Sequence, residues 1–142
     1  MPPVKGNEPH IRVAVLGVPG QASRHIELIG KNKAAVLSHV YHPAPDQAHL
    51  SDFGDLPITD DLNACQNSDV IIIASPTSAH MAQLDALGNY DGHILLEKPA
   101  AGNLANLTEA LAISKERKSR IRVNFNFQFN LTCPHNLYHS LC

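Results

Sequence analysis

A short apolar stretch of the sequence ends in a charged pair and a proline, where residues 94–99 read Ile-Leu-Leu-Glu-Lys-Pro. In an α/β sheet, the carboxyl ends of the strands form the edge at which ligands bind. Lys98 is therefore a candidate for chemistry, with Glu97 beside it. The alternative is that Glu97 and Lys98 form a solvated pair in a turn, because exposed ion pairs are common and contribute little to stability.

The composition of the 142-residue chain is that of one domain with an ordinary core. Hydrophobic residues make up 44% of the sequence and charged residues 17%, which is enough to build a packed interior. The formal net charge is -2, with acids and bases spread along the chain. We therefore expect neither nucleic acid nor a membrane surface as a partner.

The sequence lacks the usual signals of an exported, membrane-spanning or metal-binding chain. Its longest uninterrupted apolar run, residues 70–74, is far too short to span a bilayer, and its N-terminus lacks the apolar core of a signal peptide. A cytoplasmic location is the resulting expectation. Three cysteines form no Cys-x-x-Cys pair, and His135 and His139, four residues apart, follow Pro134 near the chain end. We expect no disulfide framework and no metal site.

Strands and helices are predicted to alternate along the chain. The predicted strands are residues 11–16, 34–41, 69–74, 92–96 and 121–127, and the predicted helices are residues 21–29, 60–66, 79–88 and 103–118, with a helical turn within 46–53. The five consecutive apolar residues at 70–74 indicate a strand covered on both faces, and hence a parallel sheet. The fold class is therefore α/β, a Rossmann-like doubly wound parallel sheet of about six strands in a single domain.

Local signals place several ends of these elements. Gly30 is expected to end the first helix, and Thr59 is expected to cap the helix at 60–66. In the helix at 103–118, an apolar face is predicted from residues that recur at helical spacing, namely Leu104, Leu107, Leu111 and Ala112. The predicted strands at 11–16 and 70–74 should lie at the centre of the sheet, with helices on both of its faces.

The first strand runs into a glycine turn that suits dinucleotide phosphates. A dinucleotide fingerprint requires Gly-x-Gly-x-x-Gly or Ala, and residues 17–22 read Gly-Val-Pro-Gly-Gln-Ala. Gly17 and Ala22 fit, whereas Pro19 takes the place of the middle glycine and removes an N–H donor. Gly20 restores room one residue later, so that the N–H groups of Gly20, Gln21 and Ala22 are the expected phosphate donors.

The end of the second strand leaves the choice between NAD and NADP open. An acid there would hold the adenosine ribose of NAD, but Val40, Tyr41 and His42 supply none, and Asp46 follows four residues later. His42 is compatible with the 2′-phosphate of NADP. A nucleotide fold with a weakened or repurposed pocket is the alternative interpretation.

Four segments together resemble the glucose-fructose oxidoreductase, inositol dehydrogenase and MocA-like oxidoreductases, over about residues 11–130. These segments are residues 17–22 followed by Arg24-His25, the Ile-Ile-Ile-Ala-Ser-Pro-Thr-Ser-Ala-His stretch at 71–80, Glu97-Lys98-Pro99, and residues 123–129. The resemblance implies NAD or NADP as cofactor and a sugar- or polyol-like small molecule as substrate. It also implies oligomers formed by a second domain.

The same resemblance implies roles for individual residues. Ser75, Pro76, Thr77 and His80 would line the nicotinamide end of the site, Glu97 would contact the nicotinamide ribose, and Lys98 would stand near the substrate hydroxyl. A cation there would stabilise a developing alkoxide and relay its proton. A plain strand-to-helix turn is the alternative for residues 75–80, and a structural role is favoured for Gln128, where the family often has arginine.

Length is the main departure from the family pattern. The expected division is an N-terminal tail at residues 1–10, a dinucleotide-binding domain at 11–129, and at 130–142 a tail or the start of a missing substrate domain. Members of the family have a second, mostly β domain that supplies substrate contacts, so that we expect little or no activity from this chain alone. The competing hypothesis is a stand-alone, non-catalytic module that binds a nucleotide or coenzyme A.

Overall fold

The computed structural model describes residues 10–47, 54–116 and 120–125, which form alternating strands and helices. The strands are β1 (Ile11–Leu16), β2 (Ala35–Tyr41), β3 (Ile58–Thr59), β4 (Val70–Ile73), β5 (His93–Leu96) and β6 (Ile121–Val123). The helices are α1 (Gln21–Lys31), α2 (Leu62–Cys65), α3 (Thr77–Ala86) and α4 (Leu104–Glu116), with a 3₁₀ turn at Pro45–Gln47.

The six strands form one parallel sheet in the order β3-β2-β1-β4-β5-β6. The expected doubly wound sheet is thus confirmed, with β1 and β4 as its two central strands. The chain leaves β1 towards β2 on one side and leaves β4 towards β5 on the other. The crevice between the carboxyl ends of β1 and β4 is therefore the place where this topology binds ligands.

Apolar side chains cover both faces of the sheet. One face packs Val13, Val15 and Ile72 against Ala22, Ile26 and Ile29 of α1. The opposite face packs Ala14, Leu16, Ile71 and Ile73 against Met81 and Leu84 of α3 and Cys65 of α2. Because the residues of β1 and β4 point alternately to the two faces, both strands need apolar residues at nearly every position.

The predicted end residues of two helices are wrong, and α3 lies two residues earlier than the helix predicted at 79–88. Gly30 does not end α1, which continues to Lys31 and reaches its C-cap at Asn32. The cap of α2 is Asp61, whose side chain accepts a hydrogen bond from the N–H of Asn63. Thr59 instead ends β3, and its hydroxyl accepts from the N–H of Asp61. Strand β3 was not predicted, because its two residues are too few to show an apolar pattern.

The leucines of α4 do not form a buried face among the described residues. Leu104, Leu107 and Leu111 are 78%, 41% and 55% exposed. The helix approaches the core instead through Ala110 and Ile113, which are partly buried. The leucine spacing correctly predicted a helix but not its buried face. That face is set by the packing of α4 against the neighbouring α3.

The last predicted strand is shorter within the described residues than the sequence suggested. It runs as β6 over Ile121–Val123, and residues 126–127 of the prediction lie outside the described residues, as do Gln128 and residues 130–142. No helix among the described segments is long and apolar enough to cross a membrane.

Candidate nucleotide and catalytic site

The residues that follow four of the strands lie along one edge of the sheet. Backbone hydrogen bonds continue the ladders beyond the strand ends, from Gly17 to Tyr41, from Ala74 to Leu16, from Glu97 to Ile73 and from Asn124 to Leu96. This edge therefore brings together the glycine turn, the residues after β4 and the Glu-Lys-Pro segment. The sequence predicted all three at the carboxyl edge of the sheet.

Gly17 packs directly against the backbone that follows β4. Its φ is +94°, and a Cβ atom built on it would lie 2.4 Å from Cα and 2.6 Å from N of Ser75. Only glycine fits such a contact, which holds the loop after β1 against the loop after β4. The loops that follow the two central strands are thereby in direct backbone contact.

The N-terminal end of α1 opens onto this crevice without a capping side chain. Gly20 is the N-cap, with φ +102°, and no side chain bonds there. No heavy atom lies within 4 Å of a Cβ built on Gly20. Pro19 and Gln21 are exposed, whereas Ala22 is fully buried against the sheet. The first N–H groups of a helix have no partner within the helix, so this end suits an anion.

A second helix begins at the same edge, after β4. Pro76 is the N-cap of α3, again with no side-chain hydrogen bond, and it is exposed while Thr77 is half-buried. The hydroxyl of Ser75 donates to Oε1 of Gln83 at 2.6 Å. Ser75 itself is only 9% exposed, and its hydroxyl is bonded within the protein.

His80 is buried and joins two loops of the edge. It is 1% exposed, with Nε2 at 2.9 Å from the carbonyl oxygen of Ser75 and Nδ1 at 3.3 Å from that of Ala100. A neutral imidazole has one N–H, so it can donate to one of these oxygens at a time. His80 thereby contacts both the turn after β4 and the loop that contains Lys98, with the shorter distance to the turn.

The carboxylate of Glu97 is surrounded by protein donors. Its Oε1 lies 2.6 Å from Nε2 of His25 and accepts from Nδ2 of Asn124 at 2.7 Å, while Oε2 accepts from the Lys98 N–H at 3.2 Å. Burial raises the pKa of Glu97, but the hydrogen bonds from Asn124, His25 and Lys98 outweigh it and hold that pKa below its ordinary value. Glu97 is therefore a buried, ionised carboxylate that is only 5% exposed.

Lys98 projects from this covered carboxylate to the surface. The residue is exposed, and its ammonium makes no hydrogen bond or ion pair with any side chain of residues 10–47, 54–116 or 120–125. Its backbone is held by Glu97. The solvated pair considered from the sequence does not form, because the Glu97 carboxylate turns inward to other donors.

The end of β2 carries His42 in a defined tautomer. Its Nδ1 accepts a hydrogen bond from the N–H of Ala44 at 3.0 Å, and its backbone N–H donates to Thr59. Since Nδ1 is an acceptor, the ring proton lies on Nε2. Asp46 is exposed within the 3₁₀ turn, so the choice between NAD and NADP stays open.

Two residues of this edge received no role in the sequence analysis. His25 and Asn124 were named only within longer motifs, although both bond the Glu97 carboxylate. They stand 72 and 27 residues from it in the chain, so no local spacing could pair them.

Among the described residues, no group of three His, Cys, Asp or Glu side chains could hold a metal ion.

Comparison with known proteins identifies similar chains over most of this length. A family model described as "Oxidoreductase family, NAD-binding Rossmann fold" matches residues 11–125. The Salmonella typhimurium protein YceM, named as an oxidoreductase, is 27% identical over 84% of this chain and 40% of its own. The oxidoreductase YgjR of Escherichia coli, described as uncharacterized, is 31% identical over 76% of this chain and 34% of its own.

Solved structures share the same fold. The scyllo-inositol dehydrogenase from Lactobacillus casei, determined with bound NAD(H) and scyllo-inositol, superposes with a TM-score of 0.72 at 19% identity, covering 86% of this chain and 38% of that one. At this identity the likeness shows the fold alone. The chain spans about two fifths or less of the length of these proteins.

Proposed function

Since the chain belongs to the oxidoreductase family with an NAD-binding Rossmann fold, we propose that it forms the nucleotide-binding part of an NAD(P)-dependent oxidoreductase. The proposed reaction transfers hydride between the nicotinamide and a hydroxyl or carbonyl group of a sugar- or polyol-like molecule. The observation that carries the proposal is the pair of uncapped helix N-termini, α1 and α3, that begin on either side of the close contact between Gly17 and Ser75.

The phosphates of the dinucleotide are assigned to the end of α1. Gly20 leaves open space there, and the N–H groups of Gly20, Gln21 and Ala22 point from the first turn of the helix. Gly17 is packed against Ser75, so the room for the phosphates lies at Gly20 and not at Gly17. We assign the nicotinamide end to the loop after β4, near Pro76 and Thr77, because that loop faces the same crevice.

Lys98 is assigned the proton-transfer role. When bound, the nicotinamide supplies the hydride acceptor, and the alcohol must lose a proton as the hydride leaves. An exposed ammonium beside the crevice can stabilise the developing negative oxygen, and its amine form can take the proton. The neighbouring Glu97 is already bonded to protein donors, so Lys98 is the cation of the Glu-Lys-Pro segment that is free to meet a substrate.

The substrate class rests on the similar proteins and not on a pocket of this chain. The structure of the L. casei enzyme contains scyllo-inositol, a cyclic polyol. YceM and YgjR extend well beyond the part that this chain matches, and we assign the remaining substrate contacts to that additional length. Turnover by residues 1–142 alone is accordingly expected to be low.

A binding panel with NADH, NADPH and coenzyme A tests the proposal directly. Calorimetric titration should detect binding of at least one of the two dinucleotides and weaker or absent binding of coenzyme A. Preference for coenzyme A would favour the non-catalytic binding module that the sequence left open. Absence of binding by both dinucleotides would contradict the proposed function.

A charge substitution at the helix end locates the ligand. Gln21→Glu adds one negative charge beside the assigned phosphates and should lower dinucleotide affinity about tenfold through repulsion. The added carboxylate also lies at a helix N-terminus, where it does not destabilise the fold. Asn89→Asp, an exposed amide before β5 at the opposite edge of the sheet, is the matched control and should leave affinity unchanged.

A further inference from the structure

Glu97 connects three separate parts of the sheet edge. It directly follows β5, and its carboxylate receives His25 from α1, Asn124 from the end of β6 and the N–H of Lys98. A buried carboxylate is tolerated when donors satisfy it. Each of its oxygens has a protein donor and the residue is only 5% exposed, so the expected contact with the nicotinamide ribose would lack an exposed carboxylate.

The same contacts fix the main chain at Lys98. Oε2 of Glu97 accepts from the Lys98 N–H, while Oε1 is held by His25 and Asn124. On the far side of Lys98, the carbonyl oxygen of Ala100 lies 3.3 Å from His80. The exposed lysine therefore stands on a segment that is bonded to Glu97 through its own N–H and contacts His80 two residues later.

The link also reaches the helix assigned to the phosphates. His25 lies one turn beyond the open end of α1, and its side chain is 15% exposed. Its bond to Glu97 joins α1 to the segment that presents Lys98, across 72 residues of sequence. The phosphate site and the lysine are thereby held in one rigid frame through a single carboxylate.

We propose that His25 and Asn124 are positioning residues for Lys98, acting through the carboxylate of Glu97, and that Glu97 itself serves this purpose and does not bind the ribose. The role rests on the proposed function, in which Lys98 meets the substrate beside the nicotinamide. Neither His25 nor Asn124 touches the reacting atoms in this assignment. Their effect is to fix the position and orientation of the Lys98 backbone relative to α1.

Amide hydrogen exchange of the chain without nucleotide tests the frame. His25→Leu removes the donor on α1, and exchange of the Lys98 amide should accelerate about tenfold or more relative to the Ile72 amide in the central strand β4. His25→Gln places an amide N–H in the same direction and should restore most of the protection. The exposed His93→Leu substitution is the control and should change neither amide.

A second set of variants separates the role of the Glu97 carboxylate from that of the fold. In Glu97→Gln, the amide oxygen can still face His25 and Asn124, which leaves an NH₂ group opposite the Lys98 N–H. Exchange at Lys98 should then rise while Ile72 stays protected. The exposed Glu27→Gln substitution on α1, which removes the partner of Lys31, should leave Lys98 unaffected.

NADH binding connects the frame to the proposed function. At equal occupancy, NADH should shift the Lys98 amide resonance in the wild type and in His25→Gln, and by less than half as much in His25→Leu. Equal acceleration of exchange at Lys98 and Ile72 would overturn the positioning role, because it would show a general loss of stability. Absence of NADH and NADPH binding by the wild type would instead overturn the proposed function, and the exchange result would still decide how His25 acts on Lys98.

Discussion

The imidazole Nε2 of His25 lies 2.6 Å from the carboxylate Oε1 of Glu97, a residue 72 positions later in the chain. This contact attaches the first helix of the fold to the segment that carries Lys98. Asn124 donates to the same oxygen at 2.7 Å, so one carboxylate receives donors from the two ends of the described chain. The folded state therefore depends on Glu97 being ionised.

Acid should weaken the fold through Glu97. Its pKa is lowered in the folded chain from an ordinary value of 4.5, because the bonds from Asn124 and His25 outweigh burial. A lowered pKa stabilises the folded state above the ordinary value, and this stabilisation is lost as the pH falls through the folded pKa. Urea unfolding followed from pH 7 downwards should show this loss below about pH 4.5.

Glu97→Gln should remove that pH dependence. At pH 7 the variant should lose about 2 kcal/mol of unfolding free energy, the scale for charged hydrogen bonds, and its stability should change less than that of the wild type on acidification. The exposed Glu27→Gln variant is the comparison. If both variants and the wild type respond alike to acid, Glu97 is not the group responsible.

Gly17→Ala should unfold or strongly destabilise the domain. The new Cβ would lie 2.4 Å from Cα of Ser75 at a φ of +94°. Backbone strain and overpacking together should cost about 2 to 5 kcal/mol, measurable by thermal or urea unfolding. Gly54→Ala has a φ of +70° with no atom within 4 Å, so it isolates the strain and should cost about 1 to 2 kcal/mol. Equal losses in the two variants would show that the contact with Ser75 is not tight.

Pro19→Gly should tighten dinucleotide binding. Pro19 occupies the place of the middle glycine and lacks an N–H, and it is exposed before the open end of α1. The substitution restores a donor and room for the pyrophosphate. Calorimetry with NADH and NADPH should give affinities several-fold above those of the wild type, an order of magnitude at most for one added hydrogen bond. Unchanged or weaker binding would show that proline does not impair the site.

The fold could be predicted from the sequence because its two central strands have a distinctive apolar pattern. Residues 13–16 of β1 and 70–73 of β4 are apolar without alternation, as expected for strands of a parallel sheet covered on both faces. The exposed leucines of α4 show the limit of such patterns, since spacing predicts a helix but not its neighbour. Lys98 and the glycine turn were placed by their position after strands. The bonds of His25 and Asn124 to Glu97 arise from tertiary packing over long sequence separations, which no local pattern encodes.

Lys98→Met should leave folding and nucleotide binding nearly intact. Lys98 is exposed, and its ammonium bonds no side chain of the described residues. Methionine keeps most of the apolar stem, so the unfolding free energy should change by no more than about 1 kcal/mol. NADH affinity should stay within about threefold, because the assigned phosphate donors lie on α1.

Turnover is where the loss of the Lys98 ammonium should appear. The test uses a fusion of this chain with the part of YgjR that lies outside the matched region. If the fusion with Lys98 is active, Lys98→Met should lower its kcat about a hundredfold or more, the scale for a positioned proton-transfer group. Lys115→Met, an exposed lysine in the last turn of α4, is the control for loss of a surface charge and should retain full turnover. Near-normal kcat in Lys98→Met would remove the catalytic assignment, whereas loss of the folded state would give Lys98 a structural role that its exposure does not suggest.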